Sequence, residues 1–182
     1  MRLFIALDLP AELREAIGRA TAQLRNEAPG ARWSKPEALH VTLKFLGETD
    51  PNLLPEIKAA LEPIVSADPV SFRLRGVGFF PDEKRPRVMW CGVDASPNLA
   101  ELAAKIEKSL QPLGFEAEAR RYVPHVTLAR LRFTSEERLQ SYIAEHALYR
   151  AKPFYVDRFA LIASYLTKSG SIYEDQADYP LG

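Results

Sequence analysis

Two identical tetrapeptides, His40-Val41-Thr42-Leu43 and His125-Val126-Thr127-Leu128, hold the residues best suited to chemistry in this chain. The chain has only 3 histidines, and two of them open these tetrapeptides. At ordinary residue frequencies a chance match of the three following residues is roughly a one-in-a-thousand event. On an extended strand alternate side chains share a face, so His40 and Thr42 point one way, and Val41 and Leu43 the other. The same holds for His125 and Thr127 against Val126 and Leu128. Each copy then offers an imidazole and a hydroxyl to one surface, about 7 Å apart along the strand. Two such strands facing one another would line a pocket with two imidazoles and two hydroxyls, and that set suits phosphate-ester chemistry. Threonine hydroxyls can donate to phosphate oxygens. In-line displacement needs a base on the attacking side and an acid on the leaving side. An unperturbed imidazole pKa of about 6.5 lets one histidine be neutral and the other protonated near pH 7. This chemistry calls for no metal and no cofactor. A zinc site would need ligands beyond two histidines, and Cys91 lies outside both motifs. Read singly, each histidine would be a hydrogen-bonded core residue; their duplication favours a paired site. The third, His146, falls near the end of a helix on its buried side and reads as structural or capping.

The elements that must position these residues recur in the same order. Leu3 to Leu7 reads as a buried strand, and Asp8, Pro10 and Glu12 mark a helix start with Leu13, Ile17, Ala20 and Leu24 inward. Pro29-Gly30 ends that helix. Leu39 to Leu46 is a strand carrying the first tetrapeptide. Asp50-Pro51 opens a second helix, with Leu54, Ile57, Leu61 and Ile64 inward. Val70 to Phe80 is a strand in which Phe72 and Leu74 alternate against Arg73 and Arg75. Then Arg87 to Val93 is an apolar strand, and Asp94, Ser96 and Pro97 start a helix with Leu99, Leu102, Ile106 and Leu110 inward. Tyr122 to Phe133 carries the second tetrapeptide. Thr134 and Glu137 form a capping box before Leu139, Ile143 and Ala147. Phe154 to Ser164 is a strand, Ser169-Gly170 a turn, and Ile172 to Tyr179 a last extended segment. Trp33 and Trp90 read as core.

The spacings Asp8 to Asp94, Pro10 to Pro97, His40 to His125 and Asp50 to Thr134 are all about 85 residues, as a duplicated unit requires. A strand-helix-strand-helix-strand unit present twice favours a duplicated α+β fold over a doubly wound parallel sheet. The expected organisation is one domain over residues 1–182 made of two pseudo-symmetric lobes, approximately 1–82 and 83–182. A pseudo-two-fold between them would bring the tetrapeptides face to face.

Composition bounds the rest. Hydrophobic residues make up 47% of the 182, too many for a disordered chain. Lys and Arg total 24 and so do Asp and Glu, so net charge gives no nucleic-acid signal, although a neutral total can conceal a basic patch. Cys91 is the only cysteine, which excludes an intramolecular disulfide and fits a reducing cytoplasm. No stretch approaches the ~20 apolar residues of a membrane span, and the apolar run at the start is too short for a signal peptide. The expectation is a cytoplasmic protein with no membrane partner and no obligate protein partner, a monomer.

These residues are similar to those of the two-histidine (2H) phosphoesterases. They most resemble the bacterial and archaeal RNA 2′,3′-cyclic phosphodiesterases, also called 2′-5′ RNA ligases. The family signature is His-x-Thr-x twice, with x hydrophobic. The first copy extends through Lys44-Phe45-Leu46-Gly47, the second through Ala129-Arg130, and the flanks Arg2 to Asp8 and Ser164-Tyr165-Leu166 through Gly170 and Tyr173 also match. The resemblance covers essentially the whole chain. It implies a bilobal fold of two antiparallel sheets with outer helices and a central cleft. It implies hydrolysis of a 2′,3′-cyclic phosphate end of RNA to a 2′-phosphate. By the same carry-over His125 is the proton acceptor that activates water, and His40 is the proton donor to the departing 3′ oxygen. Thr42 and Thr127 hold the phosphate oxygens and Arg130 adds charge. The reverse chemistry would join RNA ends 2′-5′, and pseudo-symmetry leaves the two histidine roles exchangeable. Lys44, Phe45 and Tyr122, beside the motifs, are candidates for RNA contact, with Lys44 sharing the cleft face of Thr42. Lys84-Arg85-Pro86-Arg87 and Arg120-Arg121 are basic clusters that could guide an RNA backbone. The expected partner is RNA bearing a 2′,3′-cyclic phosphate or a 2′-5′ linkage. The rivals are the same chemistry on a small cyclic nucleotide or a 2′-5′ oligonucleotide, and a non-catalytic RNA-end-binding module. A phosphate-binding loop of an ATP-dependent ligase is absent from the sequence.

Overall fold

The computed structural model describes residues 1–27, 30–66, 69–81, 86–131, 152–168 and 170–182. The expected capping box at Thr134, the helical run after it and His146 lie outside them. In chain order the main elements are β1 (Arg2–Asp8), α1 (Ala11–Glu27), β2 (Arg32–Trp33), β3 (His40–Glu48), α2 (Leu54–Leu61), β4 (Val70–Phe80), β5 (Val88–Ala95), α3 (Asn98–Leu110), β6 (His125–Arg130), β7 (Phe154–Val156), β8 (Arg158–Thr167) and β9 (Gly170–Pro180). Helix α3 follows its sequence pattern closely: Leu99, Leu102, Ile106 and Leu110 are all 1% exposed or less. Each such side chain stabilises the fold by about 1.5–3 kcal/mol relative to exposure. In α1 the buried line runs Leu13, Ile17, Thr21 and leaves Ala20 exposed; the Thr21 hydroxyl donates to the Ile17 carbonyl at 2.9 Å. Among the described residues no helix is long and apolar enough to cross a membrane.

The fold is α+β, as expected, and among the described residues every strand pairing is antiparallel. The two expected sheets are the halves of one nine-stranded sheet ordered β7-β4-β5-β6-β3-β1-β8-β9, with β2 also paired to β6. The halves join at a single bridge, Val41 opposite Val126. Each half of the sheet draws strands from both repeats. Strand β4, third in the first repeat, pairs with β5, first in the second. Reciprocally β8 pairs with β1. The physical reason is local: strands consecutive in the chain with few residues between them close on one another as a hairpin. The segment expected as one strand from Phe154 to Ser164 is broken at Asp157. Its first part, β7, stays beside β4 and the rest crosses to β1.

Both motif strands carry a bulge directly after the threonine. On β3, Ala6 faces Thr42 and Ile5 faces Lys44, so Leu43 is the extra residue. On β6, Trp90 faces Thr127 and Met89 faces Ala129, so Leu128 is extra. An inserted residue reverses the inside-outside alternation beyond it. Leu43 and Lys44 are therefore both buried, as are Leu128 and Ala129, and Phe45 and Arg130 return to the face of the histidines. This corrects the expectation that Lys44 shares the cleft face of Thr42. Its ammonium turns to the helical side, where it pairs with the Glu107 carboxylate and donates to the Glu116 carbonyl at 2.9 Å. Lys44→Ala strips Glu107 of its partner and is expected to cost about 3 kcal/mol in urea unfolding, most of it recovered when Lys44→Met is combined with Glu107→Leu. Unchanged stability with loss of RNA affinity would instead put the ammonium in the cleft.

Candidate active site

The bridge at Val41 and Val126 decides which groups meet. In an antiparallel pair, stepping back along one strand is stepping forward along the other. His40 therefore lies on the row of Thr127, and His125 on the row of Thr42. Strand spacing and rise put the two histidine Cα atoms about 8 Å apart on the diagonal, leaving room between the rings for a phosphate. Val41 and Val126 themselves are fully buried beneath this face.

Each imidazole is held in the same way by different residues. His40 Nδ1 donates to the Ala38 carbonyl and His125 Nδ1 to the Val123 carbonyl, each at 2.8 Å. A carbonyl oxygen only accepts, so Nδ1 carries the proton in both rings and Nε2 is left to take or give one. His40 leans over small Ala6 against Phe4, ring centroids 4.8 Å apart, with the edge of Tyr173 at 5.4 Å. His125 leans on Phe80 at 5.0 Å and Trp90 at 6.0 Å. Trp90 in turn lies flat over Gly78, where a Cβ would come within 2.2 Å of the indole, so only glycine fits there. Trp90 is thus a wall of the site rather than the core residue expected from its strand, whereas Trp33 does pack against the core.

The threonine backbones are tied across the junction. The Tyr122 hydroxyl donates to the Thr42 carbonyl at 3.0 Å, and the Ser34 hydroxyl donates to the Thr127 carbonyl at 2.9 Å. Tyr122, considered for RNA contact, packs its ring against the core, and burial raises its phenol above the usual range. Phe45 is 67% exposed on the cleft face. Arg130 stands opposite Val88, on the face of Trp90 and Thr127, and is exposed. Arg120 and Arg121 are exposed ahead of β6, as is Arg87; Lys84 and Arg85 lie outside the described residues. Cys91 faces the core, and burial pushes its thiol up to about 12. Among the described residues no three His, Cys, Asp or Glu side chains gather as metal ligands would.

One neighbour breaks the symmetry. Asp8 stands directly opposite His40, while the residue opposite His125 is Gly92. The sequence spacing matched Asp8 with Asp94, but strand register matches it with Gly92. Burial holds His40 below the ordinary imidazole range; the Ala38 carbonyl and the Asp8 carboxylate oppose that, and the second histidine adds to it. Sequence reasoning missed Asp8, Phe4, Phe80 and Trp90 as parts of the site. Around Phe4, Phe80 and Trp90 the neighbouring residues are apolar on both faces, which hides the alternation that would have separated wall from core.

The model of the 2′-5′ RNA ligase superfamily matches residues 9–167. An RNA 2′,3′-cyclic phosphodiesterase of Methanocaldococcus jannaschii is 36% identical over 175 residues, covering 96% of this chain and 97% of that one. The solved structure of TT0787 of Thermus thermophilus superposes with a TM-score of 0.84 at 29% identity, covering 100% of this chain and 98% of that one. E. coli LigT complexed with 3′-AMP gives a TM-score of 0.77 at 26% identity, covering 99% of this chain and 97% of that one. A family match over most of the chain, a relative alike from end to end, and two duplicated His-x-Thr walls meeting at one bridge agree: this protein belongs to the 2′-5′ RNA ligase superfamily.

Proposed function

We propose that this protein opens 2′,3′-cyclic phosphate ends of RNA to 2′-phosphates with its two histidines as base and acid. The observation that carries this reading is the matched pair of imidazoles, each with Nδ1 committed to a carbonyl and Nε2 free, each on the row of the other motif's threonine. The cyclic phosphate sits between them, its oxygens taking hydrogen bonds from Thr42 and Thr127 and charge from Arg130. His125 Nε2 accepts a proton from water as the water oxygen bonds to phosphorus. The bond from phosphorus to the 3′ oxygen breaks, and His40 Nε2–H protonates that oxygen. Solvent then resets both rings. Burial favours the neutral form of His40, and the Asp8 carboxylate opposes it; that opposing charge supports the donor assignment, because Gly92 stands in the matching place beside His125. With an RNA 5′-hydroxyl in place of water, the same pair would join ends through a 2′-5′ linkage. The relatives named RNA 2′,3′-cyclic phosphodiesterase support RNA as the substrate. Both walls come from one chain, so a monomer suffices.

Incubation of an RNA oligonucleotide ending in 2′,3′-cyclic phosphate, with EDTA present, is expected to yield a 2′-phosphate end. His40→Ala and His125→Ala are each expected to lower the rate at least 100-fold. Undiminished product from either variant would sink the assignment, and binding without turnover by the intact protein would favour an RNA-end-binding module. The pH profile separates the two roles. A donor must be protonated, so activity governed by His40 is lost as pH rises through its lowered pKa. The alkaline limb of kcat/KM for wild type is therefore expected below about 6.5. Asp8→Asn removes an influence that raises His40 and should carry that alkaline limb to lower pH. Movement of the acid limb instead would make His40 the base.

A further inference from the structure

The two halves of the sheet present rows that correspond strand for strand and differ in charge. In one, β8, β1 and β3 bring Arg158, Asp8 and His40 together. In the other, β4, β5 and β6 set Arg75, Gly92 and His125 in register. The guanidinium of the first row is occupied: Arg158 contacts Asp8 at 3.7 Å and Asp178 at 4.0 Å. Asp175 stands on the same face, opposite Ile162, so carboxylates outnumber cations beside His40. The second row has glycine where the first has aspartate. Arg75 is exposed, shares the face of His125, and makes no ion pair with any described residue. Gly92 stands between it and His125, two strand spacings or ~10 Å away, with the Trp90 ring alongside. Arg73 lies further along the same face of β4, opposite Asp94, and Arg130 flanks the site on β6.

We propose that the RNA strand leading to the reacting end crosses the β4–β5–β6 half of the sheet, with Arg75, on the row of Gly92 and His125, binding the first phosphodiester upstream. The other half repels a second phosphate with its carboxylates and takes only the terminal nucleoside. The distance fits: successive phosphates of an extended single strand are ~6–7 Å apart, and a long guanidinium covers the rest. Gly92 is part of the device. A Cβ there would lie 2.5 Å from the Arg75 carbonyl, so only glycine lets the Arg75 and His125 strands keep this register.

This inference rests on the reading of the protein as an RNA cyclic phosphodiesterase, and two substrates separate their failures. One is an eight-nucleotide RNA ending in 2′,3′-cyclic phosphate; the other is a nucleoside 2′,3′-cyclic phosphate with no upstream phosphate. Arg75→Ala is expected to lower the ratio of kcat/KM for the oligomer to that for the mononucleotide about tenfold, through KM, with Arg75→Lys recovering part of it. In anisotropy titrations with the oligomer carrying a 2′-phosphate end, Arg75→Ala should weaken binding. It should also make log Kd against log salt shallower by about 0.7, one phosphate's worth of released counterion on a single strand. An unchanged ratio with an unchanged salt slope would overturn the proposal. So would an equal loss on both substrates with a normal melting curve, which would place Arg75 at the reacting phosphate itself. Failure of the wild type to open either cyclic phosphate would remove the proposed activity, and the binding titration would still decide for or against Arg75.

Discussion

Everything in the site hangs on one backbone bridge, Val41 to Val126. The rest of the sheet would be two separate antiparallel ladders without it. A single bridge is a weak join, and three features reinforce it. Both valines are fully buried, so displacing either strand exposes apolar surface on the helical side. Tyr122 reaches across from the opposite half to the carbonyl of Thr42, and Ser34, beside β2, holds the carbonyl of Thr127. Slipping one strand of the junction by a residue would send its imidazole into the core and its valine into the cleft, a loss on both faces at once. The relation of each histidine to the other motif's threonine is thus set by core packing more than by anything in the cleft.

Precise imidazoles also need unyielding surroundings, and the two halves meet that need by different means. Around His40 the space comes from the small floor residue Ala6, into which the ring leans against Phe4 and Tyr173. Around His125 it comes from Gly78, which lets the indole of Trp90 lie flat. In both, a backbone carbonyl fixes the tautomer and aromatic rings fix the tilt. Rotamer freedom is removed before substrate arrives, so less ordering has to accompany the reaction.

How much of this was legible in the sequence follows from which features are local. The tetrapeptides, the helical face from Leu99 to Leu110 and the alternation of Phe72 and Leu74 with Arg73 and Arg75 depend on near neighbours, and all appear as read. The placement of Lys44 depends on the bulge at Leu43, which no local pattern announces, because Val, Leu, Phe and Leu around it suit either face. The exchange of third strands between repeats depends on which ladder closes first in space. A short connection after β4 favours a hairpin with β5, and the spacing of the repeats carries no trace of it. The contrast of Asp8 with Gly92 was hidden for the same reason: spacing matched aspartate with aspartate, and only strand register shows which residue faces each histidine.

That contrast bears on how a duplicated site acquires direction. Two copies of one motif supply two equal imidazoles, and equal groups cannot divide acid from base or tell one end of a substrate from the other. The distinction has to come from neighbours that the duplication no longer matches. Here it is concentrated in a pair of positions, aspartate against glycine. The aspartate favours the charged form of His40 and at the same time ties up Arg158. The glycine leaves His125 without a carboxylate beside it and leaves the matching Arg75 unpaired among the described residues. The same asymmetry therefore serves proton transfer and substrate polarity together. Under the proposed mechanism the RNA backbone approaches from the side of the base, and the negative half of the sheet lies beside the acid. Charge and chemistry would be out of step if either position alone were exchanged, because the guanidinium that draws the strand in and the imidazole that receives the proton belong to one row.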